Sequence, residues 1–600
     1  MFKIKKLVVF FPVSLFAVAA LSGCSKDNHA TRVLRIYNSE DYIYEYDPEY
    51  DDEYADLENE DSYAYKMNMT EQFEKYWEKE HGEKIEVIYE TFDTNETMFN
   101  ELQTGKSHYD VVITSDYMVQ KLASKDMLYK FPEEEMDFYW ENISTYMTQK
   151  LEPIGIVKSD GTSVGNLTQF CVPYMWGTIG IMYNPAKYIE EAPEFYINRL
   201  GDTYDPEVDL YDQALDLVIE DFSSWDVLYR TDEGNPYSKS FSIKDSVRDT
   251  FAISTIHANQ DKIDQIVREM GDNAPEGIAD VINIPTDKLN DKEYISQVMK
   301  VGLDDMQKLK ANAFGFETDS GKTDMTTQKI GANLCWSGDA TWAMTEAEEF
   351  GLELYFSLPL GNEDGYSASN IWFDCFAMPK NHSGDEISEE EQAQYNMTKE
   401  FINFMGQPEN ATQNSYCVGY TPATSGEEVL EYMLDMYDAN RNIEAMQDEL
   451  DNLSIDDFDS EEEMQEYAAE LQEEIDAEQE YVDNATEEDM YDLSYFFGDE
   501  FVDDDGNNIA IFVPYSYYAQ RQLKAQYPNA NELNRLAIMK DFGDIGTQAL
   551  LDTWETVRTN SLPVWAIILL SVEVAAGLGL AGYFIARKVS RKKLKKARIA

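Results

Sequence analysis

The run NIWFDCFAMP, Asn370–Pro379, carries one charge among apolar residues, at Asp374. A carboxylate in a buried strand costs free energy unless a partner offsets its lost hydration. Side chains alternate along a strand, so Trp372 and Asp374 share a face. An indole beside a carboxylate suits a ligand with both a face to pack and a donor to bind. The chain has 40 Tyr and 9 Trp, and aromatic faces suit sugars and cations alike. Catalytic patterns are poor by comparison. GTSVG, Gly161–Gly165, fits G-x-S-x-G, but it lies in a polar stretch with no strand before it or helix after it, so it reads as chance. His29, His81, His108, His257 and His382 show no paired metal spacing, and there is no phosphate-binding Gly-rich loop. Nothing points to a hydrolase, though the residues alone leave one open; no catalytic residues, cofactor or metal are expected.

The charge balance narrows the ligand. Lys and Arg number 47 against 116 Asp and Glu, a formal net charge of −69. Nucleic-acid phosphates would be repelled. Cationic ligands would be steered inward; a solubilising acidic surface is the plainer reading of the same number.

The termini set an expected compartment. MFKIKKLVVFFPVSLFAVAALSGC has a basic start, a short apolar core and small residues before Cys24, which reads as a secretory signal peptide over 1–23. LSGC resembles the bacterial lipobox, which implies lipid on Cys24; residues 24–32 then form a linker. LPVWAIILLSVEVAAGLGLAGYFIA, Leu562–Ala586, is long and apolar enough to span a bilayer. The basic tail 587–600 places that end in the cytoplasm. One extracytoplasmic body is therefore expected, anchored at both ends. Glu573 inside the span reads either as functional or as a protonated or interfacial group. Cys171, Cys335, Cys375 and Cys417 have no CxxC spacing and read as small core residues, a disulfide being left open.

The elements that would position Trp372 and Asp374 alternate. LRIYN, KIEVIYETF and YDVVITS read as strands. MTEQFEKYWEKEHG, NETMFNELQTG and DYMVQKLASKDM read as helices. This β-α-β-α-β-α order predicts a parallel sheet with helices on its faces, and ligands beyond the carboxyl ends of its strands. FCVPYMWGTIGIMYNP continues as strand; SWDVLY and SVRDTFAISTIHAN read as helices, and GANLCWSGDATWAM as strand, turn and helix. From 425 to 493 the chain is mostly charged with helical apolar spacing. It reads as a solvated acidic helical insertion, hairpin-like or disordered.

The order of these segments resembles the substrate-binding proteins of spermidine/putrescine ABC transporters, members of the type II periplasmic-binding-protein family. LRIYNSEDYI, ETFDTNETMFNELQTGKSHYDVVITSDYMVQKLASKDML, VPYMWGTIGIMYN, DSVRDTFAI, NLCWSGDATWAM, IWFDCFAMP and VGYTPATS follow in the family's order over roughly Leu34–Thr424, and more weakly over Tyr491–Val557. The resemblance implies a polyamine ligand, whose methylenes pack on aromatic faces and whose ammonium groups meet carboxylates. Trp372 and Asp374 match the family's aromatic-plus-anion pair. Asp41 and Tyr42 match its Glu-Tyr after the first strand, and Ser115 and Tyr117 its Ser-x-Tyr. Asp249 matches an acidic residue in the helix after the cleft, and Asp245 or Ser246 its neighbour; Trp336 and Tyr420 match cleft aromatics, although Trp336 alone reads equally well as core. Ser39 stands where the family often has an aromatic, with Tyr44 or Tyr46 as substitutes. A family Gln falls near Met539. Both departures leave the choice among polyamines open.

The implied architecture is α/β and two-lobed with hinge crossovers near Tyr174 and Phe373. Lobe one takes 33–174 and 374–424; lobe two takes 175–373 and 494–557. The implied partners are ABC permease subunits and an ATPase. A type II binding protein for another ligand, or a membrane-tethered interaction protein without transport, are the alternatives.

Overall fold

The computed structural model describes residues 32–46 and 66–559, apart from 233, 319, 349, 381–387, 456–457, 459, 487–488, 499–509 and 514–516. The segments around Cys24 and Leu562–Ala586 lie outside the described residues. Among the described residues no helix is long and apolar enough to cross a membrane. The chain divides into two units, Met1–Leu550 and Leu551–Ala600; the second is described only over 551–559, and the elements that position the site belong to the first.

Among the described residues eleven strands form its main sheet: β1 (Arg32–Ser39), β2 (Ile85–Phe92), β3 (Val111–Ser115), β4 (Val172–Tyr183), β5 (Phe241–Lys244), β6 (Gly315–Glu317), β7 (Ala332–Trp336), β8 (Tyr355–Ser357), β9 (Ser369–Ala377), β10 (Thr421–Pro422) and β11 (Leu536–Ile538). The strand order is β2-β1-β3-β9-β4-β7-β5-β6, with β8 and β10 also on β4 and β11 on β9. β1, β2 and β3 are mutually parallel, as are β5, β6 and β7. Between these halves, β4 and β9 run antiparallel to each other, β9 antiparallel to β3 and β4 to β7. β4 is buried along its whole length, which is why its sequence is a continuous apolar run rather than an alternating one.

The helices predicted between the first strands are α1 (Met69–His81), α2 (Asn95–Thr104) and α3 (Asp116–Ser124). In α1 an Asn68–Glu71 capping box satisfies the amino end, and Gly82, at φ 67°, closes the carboxyl end in the left-handed region. Met69, Phe73 and Trp77, four residues apart, form its buried stripe. Burying Phe73 contributes about 1.5–3 kcal/mol. Beyond β5 comes α4 (Val247–Ala258), and α5 (Ser337–Glu348) starts directly after β7 with no turn between. SWDVLY forms a 3₁₀ turn, Trp225–Leu228, rather than an α-helix.

The acidic segment differs from its reading as wholly solvated. Its first helix, α6 (Glu427–Tyr437), buries Val429, Leu430, Met433 and Tyr437 in the main core. The next two, α7 (Ala439–Asp451) and α8 (Glu461–Asn484), form a hairpin with its own small core of Ile443, Met446, Leu471 and Ile475. The short helix Ser494–Phe497, expected with lobe two, packs Phe496 against Trp176 of the 175–373 segment and Tyr146 of the 33–174 segment.

Candidate functional site

The carboxyl ends of β3, β5 and β7 carry Ser115, Lys244 and Trp336. Antiparallel pairing sets Asp374 of β9 opposite Ser115. Asp374 is half-buried. Its Oδ1 accepts from the Ser115 hydroxyl at 2.7 Å and its Oδ2 from the Tyr42 hydroxyl at 3.0 Å. Burial pushes its carboxyl up to about 6, against the two hydroxyl donors, which favour its charged form.

The aromatic walls follow from the same pairing. Trp372 lies opposite Gly177 in the β9–β4 ladder. A Cβ on Gly177 would stand 2.6 Å from Trp372 Cζ2 and 2.8 Å from Ser337 Oγ, so only glycine admits the indole there. The Trp372 ring is 5.6 Å from that of Tyr420, and Tyr420 is 5.2 Å from Tyr42 in an edge-on contact. Gly338 plays the same part for Tyr420, whose ring atoms lie within 2.4 Å of where a Cβ would be. Trp336 meets Trp372 edge-on at 6.5 Å.

The second carboxylate is Asp249, in the first turn of α4. Its Oδ2 accepts from the Ser246 hydroxyl at 2.5 Å and from the Trp336 indole N–H at 3.0 Å. Among the described residues its Oδ1 is buried without a hydrogen-bond partner, as is Trp372 Nε1. Burial raises the Asp249 carboxyl, and Asp249 in turn contributes to the rise at Asp374. Two carboxylates whose hydrogen-bond partners are all neutral thus face one aromatic group. Tyr117 joins this group through Asn95, whose amide donates to Ser115 Oγ at 3.0 Å and to the Tyr117 hydroxyl at 3.3 Å.

Of the sequence-predicted residues, Tyr42, Ser115, Tyr117, Asp249, Trp336, Trp372, Asp374 and Tyr420 are connected through these contacts. Asp41 differs: it is exposed, at φ 51° in the turn after β1, and is not bonded to either carboxylate. Asp245 is half-buried, its backbone N–H donating to the Glu317 carbonyl at 2.7 Å. Tyr44 is buried, with its backbone N–H on Asn414. Met539 is buried, its carbonyl accepting from Gln120 at 3.2 Å. Sequence reading missed Gly177, Gly338, Lys244 and Asp339. The two glycines each follow a tryptophan closely, in MWGT and WSGD, which is the one local signal for them. Ser163 of GTSVG sits in a two-stranded hairpin, not at a strand-to-helix elbow.

The putrescine-binding periplasmic protein SpuD of Pseudomonas aeruginosa is 35% identical over 103 residues, which is 17% of this chain and 25% of that protein. The spermidine/putrescine-binding periplasmic protein of Salmonella typhimurium is 22% identical over 348 residues, 58% of this chain and 73% of that one. A solved structure of the spermidine/putrescine ABC transporter substrate-binding protein PotD from Streptococcus pneumoniae is 20% identical. It covers 88% of this chain and 100% of that one, with a TM-score of 0.43. Residues 68–429 match the family model described as bacterial extracellular solute-binding protein. That match takes in more than half of the chain and most of the site, and by it the chain belongs to the bacterial extracellular solute-binding protein family.

Proposed function

We propose that this chain captures a polyamine between two lobes outside the cytoplasm and delivers it to an ABC permease and its ATPase. One observation carries the reading: Asp374 and Asp249 have only neutral hydrogen-bond partners, inside a wall of Trp336, Trp372, Tyr42, Tyr117 and Tyr420. An ammonium group offers three donors and a full positive charge to each carboxylate, and the rings pack the methylenes between. The names of the relatives support the same ligand class. No bond-breaking step is needed for this function, and none of these residues is assigned one.

Lobe one would take 33–174 and 374–424, and lobe two 175–373 and 494–557. β4 and β9, which run between the two parallel halves of the sheet, are the natural hinge strands. Ligand contacts from both lobes would favour a closed state to the extent of their differential affinity for it. Anchoring by lipid on Cys24 and by a span over Leu562–Ala586 is supported by LSGC and by the apolar run before RKVSRKKLKKAR.

The test is calorimetric titration of the purified protein with putrescine and spermidine, together with mass spectrometry of the ligand it releases on unfolding. Saturable binding of at least one polyamine is expected. A folded protein that binds neither and releases none refutes the reading.

A further inference from the structure

Two more carboxylates stand at the same end of the sheet. Glu317 ends β6 and Asp339 lies in the first turn of α5. Unlike Asp374 and Asp249, whose hydrogen bonds come only from neutral groups, both stand within 4.0 Å of a lysine nitrogen. Lys244, the last residue of β5, is 6% exposed. Its Nζ donates to Asp339 Oδ2 at 2.9 Å, stands 4.0 Å from Glu317 Oε1, and lies 4.6 Å from the Trp336 ring centroid. The other Asp339 oxygen accepts from the Tyr420 hydroxyl at 2.8 Å. Burial opposes charge on Lys244, but the Asp339 and Glu317 carboxylates outweigh it and hold the lysine ionised.

A lysine side chain is four methylenes ending in an ammonium. Lys244 is therefore chemically one arm of a polyamine, attached to the protein, with a tryptophan of the cleft beneath its head and carboxylates around it. We propose that Lys244 fills from within the subsite that a third ammonium would take, so that the ligand of this cleft is an α,ω-diamine rather than a triamine or tetraamine. The inference deepens the polyamine reading and rests on it. Asp374 and Asp249, whose hydrogen-bond partners are all neutral, would each take one ammonium group; Glu96, which accepts from the Tyr117 hydroxyl at 3.3 Å, has the Arg248 guanidinium 5.3 Å from that same ring. The buried, unpartnered Asp249 Oδ1 marks where one of those donors is missing from the protein. A third ammonium would find the carboxylate at that end already taken, one Asp339 oxygen by Lys244 and the other by the Tyr420 hydroxyl.

The purified full chain is titrated with putrescine, cadaverine and spermidine, then again as Lys244→Met and Lys244→Arg. The wild type should favour the diamines over spermidine by about tenfold or more. Lys244→Met, which keeps the stem and removes the charge, should erase most of that preference by gaining spermidine affinity; Lys244→Arg, which keeps the charge, should retain it. Equal affinity for diamine and spermidine in the wild type overturns this inference and leaves the polyamine reading standing. Binding of none of the three overturns both. A folded Lys244→Met protein with unchanged preference also overturns it. If the Met variant does not fold, the wild-type ratio decides.

Discussion

Asp374 is an acid held against its own solvation. Burial takes water from it, and Ser115 and Tyr42 return two hydroxyl donors but no positive charge. Its folded value, about 6, lies above the ordinary 3.8. A raised value favours the protonated fold. Its contribution to stability is therefore fully present below pH ~4 and lost as pH rises through 6, by at most about 3 kcal/mol. Asp374→Asn removes that loss. In urea melts of the empty protein at pH 7 the Asn variant should be at least as stable as the wild type, and the difference should shrink toward pH 4. The same variant should lose polyamine affinity about 30-fold or more, since removing one member of a desolvated charge pair costs about 2–5 kcal/mol. Unchanged affinity in a well-folded Asp374→Asn protein removes Asp374 from the site. Wild-type affinity should also fall below pH 6, where the carboxylate takes a proton instead of an ammonium.

At the scale of elements, the site depends on how closely β4 and β9 approach. Trp372 can lie across Gly177 only because β4 carries no side chain there. Gly177→Ala would push a rigid indole out of the wall, and overpacking of this kind costs about 1–3 kcal/mol. We expect a loss of ligand affinity of about tenfold beside that modest stability cost, read by titration and urea melts on the same preparation. An affinity equal to wild type would show that the indole does not touch ligand. The acidic segment is also an element-scale question. α6 belongs to the core through Val429, Leu430 and Met433, whereas the α7–α8 hairpin has a small core of its own. Replacing 439–484 by a short Gly/Ser linker should leave affinity within about threefold, under ~0.7 kcal/mol. Replacing α6 as well should unfold part of the body. A large affinity loss from the hairpin deletion alone would mean that the hairpin reaches the ligand or steers it. The alternation of strands and helices up to Ser124 was legible in the sequence because apolar spacing and Gly stops are local signals. The burial of α6 was not, since a charged helix with one apolar stripe looks the same whether or not a core lies beneath it.

Over the whole chain the net charge of −69 sets a long-range field that attracts a cation before any contact forms. Salt screens that field over roughly 10 Å at 0.1 M. Stopped-flow tryptophan fluorescence should therefore show the polyamine association rate falling about tenfold or more between about 0.02 and 0.5 M salt. The dissociation rate should change less, because the proposed contacts at Asp374 and Asp249 would govern it. A flat association rate would make the acidity a matter of solubility alone.

By itself the sequence determined the α/β alternation, the lone charge in NIWFDCFAMP, and the pairing of indole and carboxylate on one strand face. These are properties of neighbours a few residues apart, and strand and helix periods write them directly into the chain. Only the tertiary structure decided which carboxylates take a hydrogen bond from a cation. Asp249, Asp339 and Asp374 look alike as letters. What separates them is that Lys244, 95 residues before Asp339 in sequence, reaches Asp339 Oδ2, while Asp374 and Asp249 meet only hydroxyls and an indole N–H. Electrostatic partnership depends on distance through space and on exclusion of water, and the order of residues along a chain records neither.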